Sequence, residues 1–266
     1  MPETKGGKLV SLEAARGIAS VVVLLHHFQL AFLPGWMRDP FWEGGLRFTP
    51  LFPLFNGHAA VAFFFVLSGF VLARSAFRQP SGAALAVAAS KRLPRLALPC
   101  GLSILAGYLI LEAGLAFHAE AAQLAGSRWL HNFGGARLPE GFEPTLSSAL
   151  LQCLLVFLLP DNFHYNSNLW TMRDEFLGSL LVFALASLAL LRPLGERPAF
   201  WLVLFPAVAL ACAGAHPPLA QFALGAALAW AHARWGGGWR VGGPAAACLL
   251  ALAAAGFATA NPHLHT

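Results

Sequence analysis

The chain has 266 residues, of which 58% are hydrophobic and 11% charged, with mean hydropathy +0.64 and a formal net charge of +5. A soluble globular domain carries about 25% charged residues, so this composition excludes one and describes a polytopic membrane protein. The positive charge does not point to nucleic acid, because the basic residues cluster beside apolar runs, where the positive-inside bias puts them.

The first apolar stretch, Glu13 to Phe32, is long enough to cross a bilayer as a helix. It nevertheless holds Arg16 at its start and His26 and His27 near its end. A helix turns 100° per residue, so Arg16 and His27 fall within about 20° of one face and roughly 16 Å apart, with Ser20 on the same stripe. Ionisable groups at this depth are expected to face a bundle interior or a water-filled cavity. Lys5 and Lys8 would suit a secretory signal, but paired histidines in the apolar region and the missing small-residue cleavage site argue for a retained first span.

Further spans are expected at about 58–77, 96–117, 169–191, 199–215, 217–234 and 244–260. This makes an all-α transmembrane bundle of seven to eight membrane segments in a single domain, 1–266. The eighth stretch, Leu146 to Leu159, is short and bounded by Pro144 and Pro160, as a re-entrant or tilted piece would be. With the N-terminus cytoplasmic, Arg74, Arg78, Lys91, Arg92 and Arg95 are cytoplasmic too. Arg192, Arg197, Arg234 and Arg240 join them only if Leu146–Leu159 does not cross, and the positive-inside bias favours that arrangement. Two long loops, Pro34–Gly57 and His118–Thr145, then face outward, either as passive connections or as the entrance for an acceptor.

Three further groups of residues carry potential chemistry. Arg92 and Arg95 are three apart and share a helical face. With Pro94 in a first turn, they would form an anion site at a helix N-terminus, the alternative being ordinary flanking charge. Arg173, Asp174 and Glu175 open the span that follows Asn166. Glu175 lies deepest and would orient a histidine or bind a substrate hydroxyl, the alternative being an arginine–acid pair at the interface. Phe63 to Leu72 contains Ser68–Gly69, read as a close-packing element, since Ser68 lacks the surroundings of a hydrolase nucleophile. Cys100, Cys153, Cys212 and Cys248 sit in apolar runs without a C-x-x-C pair. The remaining histidines show no metal-ligand spacing, so no metal is expected.

Five motifs occur in order: RGIASVVVLLHH at 16–27, FFFVLSGF at 63–70, RLPR at 92–95, LWTMRDEF at 169–176 and FALG at 222–225. Together they resemble the acyltransferase 3 family of integral membrane acyltransferases, which includes O-antigen, exopolysaccharide and peptidoglycan O-acetyltransferases and macrolide acyltransferases. The family's arginine–ten residues–histidine motif falls on Arg16 and His27, its paired arginines on Arg92 and Arg95, and its tryptophan-to-glutamate motif on Trp170 and Glu175. The resemblance implies a catalytic histidine, His27, and arginines that serve acyl-CoA. It further implies transfer of an acyl group, acetyl above all, to a hydroxyl of an extracytoplasmic carbohydrate or small molecule. Acyl-CoA is then a donor substrate, and no tightly bound cofactor is expected. His27 would act as general base or carry the acyl group itself. Family members usually have about ten spans, so a short form, or a chain lacking the last spans, is expected here. A transporter of a polar solute and an inactive family member are the competing classes, because intramembrane arginine, histidine and glutamate also serve transport pathways.

Overall fold

The computed structural model describes residues 10–37, 45–46, 49–78, 80–136, 138–139, 141–191 and 193–235. The expected span at 244–260, Lys5, Lys8, Arg192, Arg240, Cys248, His263 and His265 lie outside the described residues. Among those described there is no strand, and nine α-helices follow one another: α1 (Val10–Phe32), α2 (Gly57–Arg78), α3 (Gly82–Glu112), α4 (His118–Ala125), α5 (Arg128–His131), α6 (Leu146–Leu155), α7 (Met172–Leu188), α8 (Pro198–Ala215) and α9 (Pro217–Trp235). Among the described residues, four stretches are long and apolar enough to cross a membrane: Leu12–Phe32, Gly57–Arg78, Gly82–Glu112 and Pro198–Ala215.

Helices α2, α7, α8 and α9 enclose the main core, where Phe65, Val182, Trp201, Phe205, Phe222 and Trp230 are buried together. The closest helix pair is α2 with α9, and glycine makes it possible. A Cβ on Gly69 would run into the carbonyl of Phe222, and a Cβ on Gly225 would run into the backbone of Val66 and Phe70. Small residues let two backbones approach where lipid supplies no hydrophobic drive between helices. This accounts for the FALG motif and for Gly69 as packing elements. Phe222 itself lies over Gly178 of α7, locking the third helix to the pair.

A second core joins α3 to α6 and to the segment before α7, through Cys100, Ile104, Ala149, Phe157 and Tyr165. Helix α6 has 10 residues, about 15 Å at 1.5 Å per residue, too short to cross a core about 30 Å thick. This agrees with the non-crossing reading of Leu146–Leu159.

Helix α1 has three faces. Ile18, Val21, Leu24, Phe28 and Phe32 are exposed, as lipid-facing residues are. Ala19, Val22 and His26 are buried toward α2. The Arg16–His27 stripe lies on the flank between them, about a quarter-turn from the α2 face.

Two expectations need correction. The helix expected over 96–117 begins at Gly82 instead, where Ser81 caps α3 by accepting from the amide of Ala84 at 3.3 Å. Arg92 and Arg95 therefore lie well inside a 31-residue helix, and free amides at a helix start contribute nothing to them. Pro94 and Pro99 are interior prolines. Each lacks the N–H that would bond the carbonyl four residues back, so the Ser90 and Arg95 carbonyls lose their helical donors. The His118–Thr145 loop also holds structure of its own, α4 and α5.

Candidate active site

The polar interior begins at Arg92. Its Nη2 lies 2.5 Å from Glu175 Oε2, and its Nε donates to Ser179 Oγ at 2.6 Å. Ser68 Oγ donates to the other carboxylate oxygen of Glu175 at 3.0 Å. Ser179 Oγ in turn donates to the Glu175 carbonyl, one helical turn back. One carboxylate thus gathers α2, α3 and α7. The Arg92 and Glu175 side chains are only 18% and 15% exposed. A charge pair so placed is held by its remaining hydrogen bonds as much as by Coulomb attraction.

Arg16 and Arg95 lie within electrostatic range of Arg92, and Arg16 of Glu175. Arg16 also pairs with Glu13 at 3.5 Å on the exposed side. Three arginines are consequently grouped around the Glu175 carboxylate. Trp170 is half-buried in the 3₁₀ turn Ser167–Thr171 that leads into α7. Next to it, Arg173 and Asp174 form a clasp. Arg173 reaches the Leu158 carbonyl and His216, and Asp174 lies 3.5 Å from His216 Nε2. Glu175 alone of the three is turned to the arginines.

The paired histidines lie toward the C-terminal end of α1. His26 is 5% exposed, and its Nδ1 sits 2.8 Å from the Phe55 carbonyl. A carbonyl only accepts, so this nitrogen carries the proton. A Cβ on Gly57 would overlap the His26 ring, and His58 approaches that ring edge-on at 5.3 Å. His27 is half-buried on the flank of α1 and stacks on Trp129, with ring centroids 5.5 Å apart and planes at 15°.

The fit depends on how α5 is fastened. Ser127 Oγ accepts from the Leu130 amide of the helix it caps at 3.1 Å and donates to the Leu30 carbonyl of α1 at 2.6 Å. Leu30 is in the last turn of α1, where carbonyls lack helical donors. One hydroxyl therefore caps α5, satisfies α1 and brings Trp129 over His27.

Glu175 and His27 are not brought together. Glu175 is engaged by Arg92 and Ser68, whereas His27 meets Trp129. The sequence reading missed Ser68 and Ser179 as partners of the buried charges, Trp129 as the partner of His27, and the carbonyl bond of His26. A hydroxyl inside an apolar helix is the signal that pointed to the serines. Among the described residues, no three histidine, cysteine, aspartate or glutamate side chains are grouped to hold a metal.

These features define a membrane-embedded helical protein with an arginine–glutamate cluster in its interior and paired histidines toward the end of its first helix. A family model described as an acyltransferase domain, that of the acyltransferase 3 family, matches residues 9–264. The chain belongs to this family and is a membrane acyltransferase. No curated protein and no solved structure matches it.

Proposed function

We propose that the chain transfers an acyl group, acetyl in the simplest case, from acyl-CoA to a hydroxyl of an extracytoplasmic carbohydrate or small-molecule acceptor. The observation that carries this reading is the shared spacing on two helices. On α1, Arg16 and His27 are eleven residues apart on one face. On α3, Arg92 and Ser103 are eleven residues apart on one face, about 16 Å in each case. In this reading an anion-binding group, Arg16, and a basic group, His27, are separated along one face of α1 by the distance between the donor's phosphates and its acyl end.

In this reading the arginine end is cytoplasmic, as is the N-terminus, in the cell membrane. Arg92, Arg95 and Arg16 receive the donor's phosphates by charge-assisted hydrogen bonds, and Glu175 holds Arg92 in place until they arrive. Trp170 stands at the start of α7, on the substrate side. The donor's thioester reaches His27 along the flank of α1. His27 accepts the proton of the acceptor hydroxyl as its oxygen attacks the thioester carbonyl. The C–S bond breaks, an ester C–O bond forms, and the proton passes to the departing CoA thiolate. In the covalent alternative, His27 first takes the acyl group from sulfur and then yields it to the hydroxyl.

Purified protein given radiolabelled acetyl-CoA tests the reading. Acceptor-dependent release of CoA is expected in wild type and not in His27→Ala. Uptake of solute into vesicles without CoA release would replace the enzyme by a transporter.

A further inference from the structure

Among the described residues, three of the four stretches able to cross a membrane have an end at one place. Phe77 is the next-to-last residue of α2, and Pro198 is the first of α8. Gly82 opens α3, and a Cβ there would touch the Leu190 side chain at 3.6 Å. Phe77, Leu190 and Pro198 line a cavity of about 580 Å³, together with Trp230 and Arg234 near the end of α9. A cavity set where membrane-crossing helices begin and end lies at the level of the lipid head groups. Tryptophan and arginine are the residues that favour this level.

The walls are in place without a ligand. Phe77 packs edge-on against Trp201, centroids 5.1 Å apart, and Trp230 lies 6.4 Å from the same indole. The turn Leu194–Glu196 doubles back on the end of α7. Its Gly195 amide donates to the Leu191 carbonyl at 2.7 Å, and its Gly195 carbonyl accepts from Trp201 Nε1 at 2.8 Å. A Cβ on Gly195 would strike the carbonyls of Leu188 and Ala189. One buried indole, Trp201, therefore backs two aromatic walls and fastens the turn that carries Glu196.

The charge inside selects the ligand. The two charged lining residues, Glu196 and Arg234, have opposite signs. A lone arginine at a helix end would be ordinary flanking charge, but here a carboxylate shares its cavity. Glu196 also engages the protein itself. A carboxylate has about four lone-pair sites, so capacity for a further donor remains. Guanidinium takes a phosphate through two parallel N–H bonds, and carboxylate takes an ammonium. A purely anionic head group would set a like charge against Glu196. A quaternary ammonium has no N–H to give it. An ethanolamine head group carries a phosphate and a primary ammonium two carbons apart, and its glycerol end finds an apolar wall in Phe77, Leu190 and Trp230.

We propose that this cavity binds the head group of an ethanolamine phospholipid, its phosphate on Arg234 and its ammonium on Glu196. The site does not rest on the acyltransferase reading, because none of its lining residues is assigned a part in transfer. The full chain, purified in dodecyl maltoside, is titrated with dihexanoyl phosphatidylethanolamine and with its phosphatidylcholine and phosphatidylglycerol counterparts, and the thermal midpoint is followed. A ligand that binds the folded protein alone raises that midpoint. The ethanolamine lipid is expected to raise it, and the other two should need about tenfold more for the same rise, the equivalent of one charge-assisted hydrogen bond. Arg234→Ala and Glu196→Gln should each raise the ethanolamine lipid needed about tenfold. Both side chains are exposed, and the midpoint without lipid reports whether folding is intact. Ala233→Phe, which fills the cavity and leaves both charges, should abolish the response. Equal potency of the three lipids, or a response unchanged in all three variants, overturns the proposal. So does an equal rise with inorganic phosphate or CoA, neither of which carries the ammonium, because the cavity would then serve a soluble phosphate.

Discussion

Arg92 of α3 and Glu175 of α7 meet at 2.5 Å, and neither has much access to water. Removing one member of such a pair leaves a buried charge without its partner and costs about 3–5 kcal/mol, whereas replacing both by apolar residues is often neutral. Glu175→Ala is therefore expected to lower the thermal midpoint sharply in detergent. Arg92→Met combined with Glu175→Met should recover most of that stability while donor use stays lost. Thermal unfolding and CoA release, measured on the single and double variants, check this. A double variant as unstable as the single would show that the pair is not what holds α3 to α7.

This pair also marks where the sequence stops being informative. The apolar stretches and the family motifs were legible because bilayer length and helical period are local properties of the chain. Arg16 and His27 were placed on one face by arithmetic alone, and the flank they share on α1 follows it. The start of α3 was misread because Pro94 looked like a first-turn proline. Ser81 captures the helix roughly three to four turns earlier, and the interior tolerates both prolines. A hydroxyl inside an apolar helix marks the serines, but which charged group each one meets was not legible. Ser68 and Arg92 reach Glu175 across 107 and 83 residues of chain. Trp129 comes to His27 where α5 docks on α1, with Ser127 bonded to the Leu30 carbonyl. Such pairings depend on how helices dock, which no local pattern encodes.

His26 and His27 are adjacent in sequence and opposite in circumstance, so the two alanine variants should separate. His26→Ala strands the Phe55 carbonyl and opens a void against Gly57, a loss of about 1–3 kcal/mol. His27→Ala removes a half-buried ring and should leave the melting midpoint nearly unchanged. Transfer should respond the other way, with His27→Ala down by about 10²–10⁴-fold, the usual contribution of a positioned base. Comparison of turnover per folded molecule, after size-exclusion chromatography, decides it. Full turnover in His27→Ala would move the chemistry elsewhere.

Gly225 should tolerate no side chain. A Cβ there meets the Val66 carbonyl and the Phe70 amide, both backbone atoms that cannot rotate away. Gly225→Ala must push α9 from α2, and overpacking of this kind costs about 1–3 kcal/mol. Because Phe222 on the same helix lies over Gly178 of α7, the displacement also loosens the helix that carries Glu175. Lower yield of monodisperse protein is expected, together with weaker donor use. Gly17→Ala is the control, since nothing lies within 4 Å of a Cβ at that position. Equal behaviour of the two variants would mean that α2 and α9 are not in such close contact.

Trp129 is expected to act on His27 through its ring face. The two rings are nearly parallel at 5.5 Å. In the proposed mechanism His27 takes the hydroxyl proton and becomes a cation lying on an indole, an arrangement that contributes about 0.5–2 kcal/mol. That stabilisation belongs to the transition state more than to the resting enzyme, so its loss should appear in kcat. Trp129→Ala should lower kcat about 2–30-fold, by that same energy range. Trp129→Phe, which keeps a smaller aromatic face, should fall between that variant and wild type. Ser127→Ala supplies an independent approach, because it leaves the indole intact and removes the bond that fixes α5 to α1. It should lower kcat in the same direction as Trp129→Ala, with little further effect when the two are combined. A kcat unchanged by both would mean that the stack positions nothing, and that His27 works without its neighbour.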